Sequence, residues 1–280
     1  NPKATFSDGI RISAEDVKFS FETLMTLGKI EYRRYYADVE RVEVLDSHKV
    51  RFYFKTNKNT ELPLILSQLP ILPKHIFVTQ QGNTFGQNPL DTPIGSGPYV
   101  VDSYDLGRKI ILKANPKYWA KNHPTRKGFF NFESIEIEYY KDPVVAQQAF
   151  MAGAYDWRIE SSAKVWAKDY NTHKQTLQKI VIPNNLPSTL QGFFFNTKRQ
   201  VFANPLVREA IFYAFDFEWS NQNLFFGQYE RTINIFDNSI FASSGIPMGE
   251  EKRILQKLPL TDSRILTQKY LITRTDHKLP

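Results

Sequence analysis

The feature that most constrains this chain is the switch of period at residues 192–216. The stretch opens on an apolar run, Gly192-Phe-Phe-Phe-Asn-Thr197, and passes into a segment with helix-start chemistry. Asn204 is a good N-cap, and Pro205 suits the first helical position, where a missing N–H costs nothing. Val207, Ile211, Ala214 and Phe215 then fall on one helical face. The pattern predicts a buried strand, a loop, and a helix over 204–216 that buries Val207, Ile211 and Phe215.

The same alternation of periods recurs along the chain. Ser13 can cap a helix, with Asp16 three residues on as a variant capping box. Val17, Phe21 and Leu24 share its face and Gly28 is a natural stop. Residues 41–55 read as two strands around Asp46-Ser47, with Val50, Phe52 and Phe54 alternating against Arg51 and Tyr53. Residues 69–99, rich in Pro, Gly and Asn, read as a long irregular connection. Residues 109–113 and 134–140 read as strands. Asp142-Pro143 starts a helix that carries Ala146, Ala149 and Phe150 and ends at Gly153. After Glu250 the periodicity weakens, and residues 259–280 show neither firm helical nor strand pattern. Strands and helices mix without a strict βαβ rhythm, so the class is α/β or mixed α+β.

At 280 residues the chain is long enough for one or two domains. Its formal charge of +7 invites an anionic partner, but Lys and Arg are scattered and form no long run. The aromatic share of 14% suits large contact surfaces as well as an ordinary core. With no cysteine, disulfides and thiolate metal sites are impossible. No run of eighteen apolar residues occurs. The opening, Asn1-Pro-Lys-Ala-Thr-Phe6, has no Met and no signal-peptide core, so it is expected to lie inside a longer protein.

Enzyme constellations are scarce. His48, His75, His123, His173 and His277 lack metal-ligand spacing. Ser161-Ser-Ala-Lys164 matches the S-x-x-K signature of serine acylases, with Ser161 or Ser162 as nucleophile beside Lys164, but has no Ser-Asp-Asn or Lys-Thr-Gly companion. The acids Asp8/Glu15 and Glu136/Glu138 fit a turn and an exposed strand face. Arg33-Arg34-Tyr35-Tyr36 is the best local pattern for nucleic acid, and it is short. A serine acyl hydrolase and a basic nucleic-acid-binding module therefore stand as the alternatives to a non-enzymatic binding protein.

Six segments in order carry a more specific signal. They are Phe6-Ser-Asp-Gly9 with Ile12 to Ser20, Ile71-Leu-Pro-Lys-His75, Gly95-Ser-Gly-Pro-Tyr99, Asn115-Pro-Lys-Tyr-Trp119, Ala149 to Asp156, and the 192–216 segment itself. In order and spacing they resemble the family 5 extracellular solute-binding proteins of bacterial ABC importers, although Arg11 stands where the family usually has proline. Asp156-Trp-Arg158, Ser162 to Ala167, Asp216 to Trp219, Asn223 to Tyr229 and Ser239 to Pro247 resemble its branch for microcin-C-type peptide antibiotics.

The resemblance implies a periplasmic-binding-protein-like two-lobed clamp, incomplete here at both ends. By the same resemblance, residues 1–93 form an extra domain beside the first lobe. Residues 94–191 form part of the first lobe, and residues 192–280 start the second. The implied function is non-enzymatic capture of an oligopeptide or peptide-like ligand and delivery to an inner-membrane ABC permease. A periplasmic location, a monomer, no cofactor, no metal and no nucleic-acid partner are expected. Arg158, Glu160 and Trp166, with Asn196 in the segment where the chain would cross lobes, are the expected ligand contacts. The acid that holds a peptide's α-ammonium group in well-known members has no counterpart in this chain.

Overall fold

The computed structural model describes residues 1–170, 177–188, 190–259 and 262–269. The chain divides into two compact units, Asn1–Tyr155 and Asp156–Pro280.

The first unit holds all the strands found among the described residues. Helix α1 (Ala14–Thr26) starts at the expected cap: Ser13 Oγ accepts from the Asp16 N–H, and Asp16 returns a bond to the Ser13 N–H. A Cβ at Gly28 would lie 2.4 Å from the Leu24 carbonyl oxygen, so the stop there requires glycine. Helix α2 (Ile30–Tyr35) leads into the hairpin β1 (Val39–Asp46) and β2 (Lys49–Phe54), which turns at Ser47-His48. Helix α3 (Leu62–Leu66) and the short α4 (Lys74–Phe77) follow. Two two-residue strands, β3 (Val78–Thr79) and β4 (Gly82–Asn83), then punctuate the long connection. Strands β5 (Tyr99–Asp105), β6 (Lys109–Ala114) and β7 (Ser134–Glu138) form an antiparallel sheet in that order. Helix α5 (Pro143–Met151) is capped by Asp142 and followed by Gly153 at φ +82°.

Two stripes of α1 are buried. The apolar stripe carries Phe21 and Leu24 into a cluster with Tyr36, Val39, Val42, Leu62 and Leu69. Phe21 meets Phe52 edge-on at 5.8 Å and Tyr36 at 5.9 Å. The second stripe is polar. Asp16 Oδ1 accepts from the Lys74 N–H at 3.0 Å, and Ser20 Oγ accepts from the Leu72 N–H at 2.7 Å. Thr23 Oγ1 accepts from Asn83 Nδ2 at 2.8 Å. Buried polar groups need partners, and here the helix finds them in the 72–83 segment.

The second unit is helical among its described residues. It comprises α6 (Ala163–Lys168), α7 (Gln200–Ala203), α8 (Pro205–Ala214), α9 (Phe217–Asn223), α10 (Gly249–Leu255) and a 3₁₀ turn, Ser263–Leu266. Two expectations are corrected there. Residues 192–197 form no strand, and Phe193 and Phe194 are 87% and 79% exposed. A strand needs a hydrogen-bonded neighbour, and no described residue of this unit provides one. Helix α8 does form, with Asn204 Oδ1 accepting from the Leu206 N–H, but its apolar face is not covered. Ile211 and Phe215 are exposed and Val207 is only half-buried. Cap chemistry is local and holds; burial depends on a packing partner, and no described element covers that face. Val207→Asp, at a half-buried position, is accordingly expected to cost this 280-residue chain about 1 kcal/mol, short of what a charge placed in a closed core costs. A larger loss in urea unfolding would show that the face is covered after all.

Helix α10 lies where the sequence pattern weakens. Glu250 and Arg253, one turn apart, form an ion pair along it. Of the weak stretch, residues 260, 261 and 270–280 lie outside the described residues, His277 among them, as does His173 earlier in the chain.

Candidate ligand-binding site

Arg158, Glu160 and Tyr170 form one hydrogen-bonded triangle. Residues 156–162 run without regular structure into α6, and Tyr170 lies two residues beyond that helix. Arg158 Nε donates to Glu160 Oε2 at 3.1 Å and to the Tyr170 hydroxyl oxygen at 3.0 Å. Tyr170 OH in turn donates to Glu160 Oε2 at 2.6 Å. The Ser162 N–H donates to Glu160 Oε1 at 2.7 Å. The Glu160 side chain is only 5% exposed and that of Arg158 17%.

The electrostatics follow from this geometry. Burial works to raise the Glu160 pKa, but the Tyr170 hydroxyl, the Ser162 N–H and the Arg158 guanidinium outweigh it and hold the carboxyl below its ordinary value. Burial, joined by the Glu160 carboxylate, pushes the Tyr170 phenol up to about 12. The two ends of the pH scale act in opposite senses. The depressed Glu160 value gives stability that is present above its ordinary pKa of about 4.3 and lost as pH falls through the folded value. The raised Tyr170 value gives stability that is full below about pH 10 and lost as pH rises through the folded value. In a near-ultraviolet absorbance titration, one phenol should ionise near pH 12, and Tyr170→Phe should remove that late phase. An unchanged titration curve in the variant would remove Tyr170 from the triangle.

The other expected residues lie apart from this triangle. Trp166, half-buried on α6, has Lys179 Nζ 4.7 Å from its ring centroid, and its carbonyl accepts from the same ammonium at 2.6 Å. Asn196 is exposed, and its side-chain oxygen accepts from the Lys198 N–H at 3.1 Å. The structure thus joins Arg158 to Glu160, adds Tyr170, and shows no hydrogen bond from Trp166 or Asn196 to that group among the described residues. No periodic signal marks Tyr170 in the sequence.

A second feature was also missed. An open depression of about 580 Å³ is lined by Phe217, Glu218, Asn221, Gln222, Phe226 and Gly227. Arg231 stands beside it, 4.3 Å from the Phe212 ring centroid and 4.0 Å from a Glu218 oxygen. Asn221 fixes its rim by bonding both the N–H and the carbonyl of Tyr229.

The alternative chemistries find local uses instead. Ser162 Oγ caps α6 by accepting from the Val165 N–H. Asp8 pairs with His75 at 2.7 Å, Glu15 with Lys74 at 2.9 Å and Glu136 with Lys109 at 3.0 Å. Tyr36 of the Arg33–Tyr36 pattern is buried against Phe21. No group of three or more metal-ligating side chains gathers among the described residues, and no helix among them is long and apolar enough to cross a membrane.

Comparison with known proteins gives a consistent picture. The family model described as bacterial extracellular solute-binding proteins, family 5 (middle), matches residues 1–270. A putative binding protein of Brucella suis is 38% identical over 264 residues, covering 92% of this chain and 42% of the relative. A probable peptide-binding protein of Agrobacterium fabrum, YejA, is 35% identical over 264 residues, covering 91% and 43%. This chain therefore spans less than half the length of these relatives. Among solved structures, the oligopeptide-binding protein AppA of Bacillus subtilis, in complex with a nonapeptide, aligns with TM-score 0.57 at 21% identity, over 90% of this chain and 50% of AppA. NikZ of Campylobacter jejuni, in complex with Ni(L-His), aligns with TM-score 0.59 at 22% identity, over 91% and 50%. These two likenesses concern the fold, which is the mixed α+β fold of periplasmic binding proteins. With the model matched along nearly its whole length and relatives above one-third identity, the chain belongs to the family 5 bacterial extracellular solute-binding proteins.

Proposed function

We propose that the chain serves in the capture of an oligopeptide or peptide-like solute between two lobes and in its delivery to an inner-membrane ABC permease. It works as a periplasmic monomer and carries out no reaction on its ligand. The observation that carries this reading is the family match along residues 1–270. The identity of 35% with a probable peptide-binding protein narrows the solute class, and the likeness to the microcin-C-type branch favours the same class. In this reading residues 1–93 are the extra domain, 94–191 belong to the first lobe and 192–280 open the second.

Arg158, Glu160, Trp166 and Asn196 are the proposed site residues, of which Arg158, Trp166 and Asn196 touch the solute and Glu160 supports Arg158. Glu160 accepts from Arg158, Tyr170 and the Ser162 N–H, so it aligns Arg158 rather than meeting solute itself. A guanidinium held in this way loses little freedom on pairing with a peptide carboxylate or carbonyl. Trp166 offers a flat apolar face, and Asn196 an amide.

The test uses the complete protein with its flanking sequence, freed of carried ligand by unfolding and refolding. Titration calorimetry with defined peptides should give saturable heat. Arg158→Ala should weaken binding by about 1 kcal/mol or more, the scale of a charge-assisted hydrogen bond. Absence of heat with every peptide would overturn the solute class, and unchanged affinity in the variant would take Arg158 out of the site. Labelling of wild-type protein by a fluorophosphonate at Ser161 or Ser162 would favour the hydrolase alternative.

A further inference from the structure

Between Asp105 and Glu133 the chain carries no acidic residue but seven Lys or Arg: Arg108, Lys109, Lys113, Lys117, Lys121, Arg126 and Lys127. The first three are paired, with Asp105, Glu136 and Asp102. The last four, all in the loop joining β6 to β7, make no ion pair among the described residues. The same loop carries Gly128-Phe-Phe-Asn-Phe132 and closes on a single acid, Glu133, and every residue from 121 to 134 is exposed. Phe129 is 66% and Phe132 71% exposed.

The loop is built, not loose. The Arg126 and Lys127 N–H groups both donate to the His123 carbonyl, and the Phe129 N–H donates to the Arg126 carbonyl. Gly128 and Phe130 take φ values of +86° and +61°, which fold the tip back on itself. A phenylalanine in the left-handed region is uncommon and is held by its surroundings. Here the Phe130 ring packs edge-on against Tyr99 and Tyr118, at 6.4 and 6.0 Å. Asn131 Nδ2 donates to the Gly128 carbonyl, and Tyr99 OH donates to that of Phe132. Phe130 is thereby the anchor of the tip. Its neighbours Phe129 and Phe132 are left facing water, beside Arg126 and Lys127 in the same turn.

We propose that this β6–β7 loop docks on an anionic phospholipid surface. Phenylalanine has no polar handle, so two exposed rings at a fixed tip gain most from entering the acyl boundary of a bilayer. Unpaired Lys and Arg beside them are drawn to anionic headgroups, each by about 1 kcal/mol. The charge sign and the apolar tip ask for the same occupant: a surface that is negative outside and apolar just beneath. Single-stranded nucleic acid also takes cations and aromatic rings, but it needs a groove that tracks its backbone, and here the cations and rings are gathered in one tight turn closed by its own backbone bonds. The proposal is independent of which solute the protein carries.

The experiment is flotation of the whole chain with vesicles of neutral phosphatidylcholine and with vesicles also containing phosphatidylglycerol. Binding should require the anionic lipid and weaken with salt. The pair Arg126→Gln/Lys127→Gln should weaken it by about thirtyfold, two cations at the scale above. Phe129→Ser/Phe132→Ser should weaken it about tenfold or more, an effect that persists at high salt. All four positions are exposed, so the variants should keep the wild-type circular dichroism spectrum. A further check uses the absence of cysteine: Phe129→Cys carrying an environment-sensitive dye should shift to the blue on anionic vesicles. No flotation with either lipid, equal flotation with both, variants that bind like wild type, or capture by single-stranded oligonucleotides without vesicle binding would each overturn the proposal.

Discussion

Phe21→Ala lowers the unfolding free energy of the Asn1–Tyr155 unit by about 3–5 kcal/mol, the range for a large aromatic removed from a packed core. Phe21 sits at the meeting point of helix and hairpin, with Tyr36 and Phe52 against its ring and Leu24, Val39, Val42, Leu62 and Leu69 in the same cluster. Neither the helix nor the strands can close the cavity without losing their own contacts, so the cost should lie at the upper end. Urea unfolding followed by circular dichroism measures it. A loss under about 1 kcal/mol would mean that the cluster is not what holds this unit together.

Hydrogen exchange on the 280-residue chain should split it in two. Amides of α1, β1 and β2 are expected to exchange only through global opening of the first unit, and those of α7, α8 and α9 orders of magnitude faster. The reason is burial. Every buried apolar residue among those described, except Tyr170, precedes residue 156. In the second unit Ile240 is 93% exposed and Met248 78%. Apolar area left in water forfeits about 25 cal/mol per Å², which is large against a typical net stability of about 5–15 kcal/mol. Uniform protection across both units, read by mass spectrometry, would refute this.

Local chemistry was legible in the sequence where it decides the outcome. The Ser13, Asp142 and Asn204 caps, the turn of the β1–β2 hairpin and the strands β6 and β7 all sit where residue types place them. The expectations that failed asked for more than local information. Burial of the α8 face and a strand at 192–197 both require neighbours, which the amphipathic pattern implies but does not identify. Arg158 and Glu160 were singled out only through the resemblance, as ligand contacts; Tyr170 was not, because the short α6 and the turn after it that bring it to them leave no period in the sequence. In α1 the apolar stripe was readable from 3.6-residue spacing. The polar stripe of Asp16, Ser20 and Thr23 has the same spacing, yet such residues usually face solvent, and nothing nearby in the chain announces partners so far downstream.

Those partners are expected to set the order of events as the first unit folds. The three bonds from Asp16, Ser20 and Thr23 reach across 58, 52 and 60 positions. Closing a loop of that size costs about 3.5 kcal/mol of chain entropy beyond a constant, a toll no single hydrogen bond recovers. Helix α1 can collapse early onto the nearby hairpin through its apolar side, while its polar side stays hydrated. Residues 72–83 then arrive as a latch, and they are held only when several bonds close together. Non-local closure of this kind is slow, and until it happens the connection between the helical core and the β5–β7 sheet remains an open tether. The time this unit takes to mature on leaving the ribosome is therefore expected to depend on a segment whose own helix and strands are too short to form ahead of it.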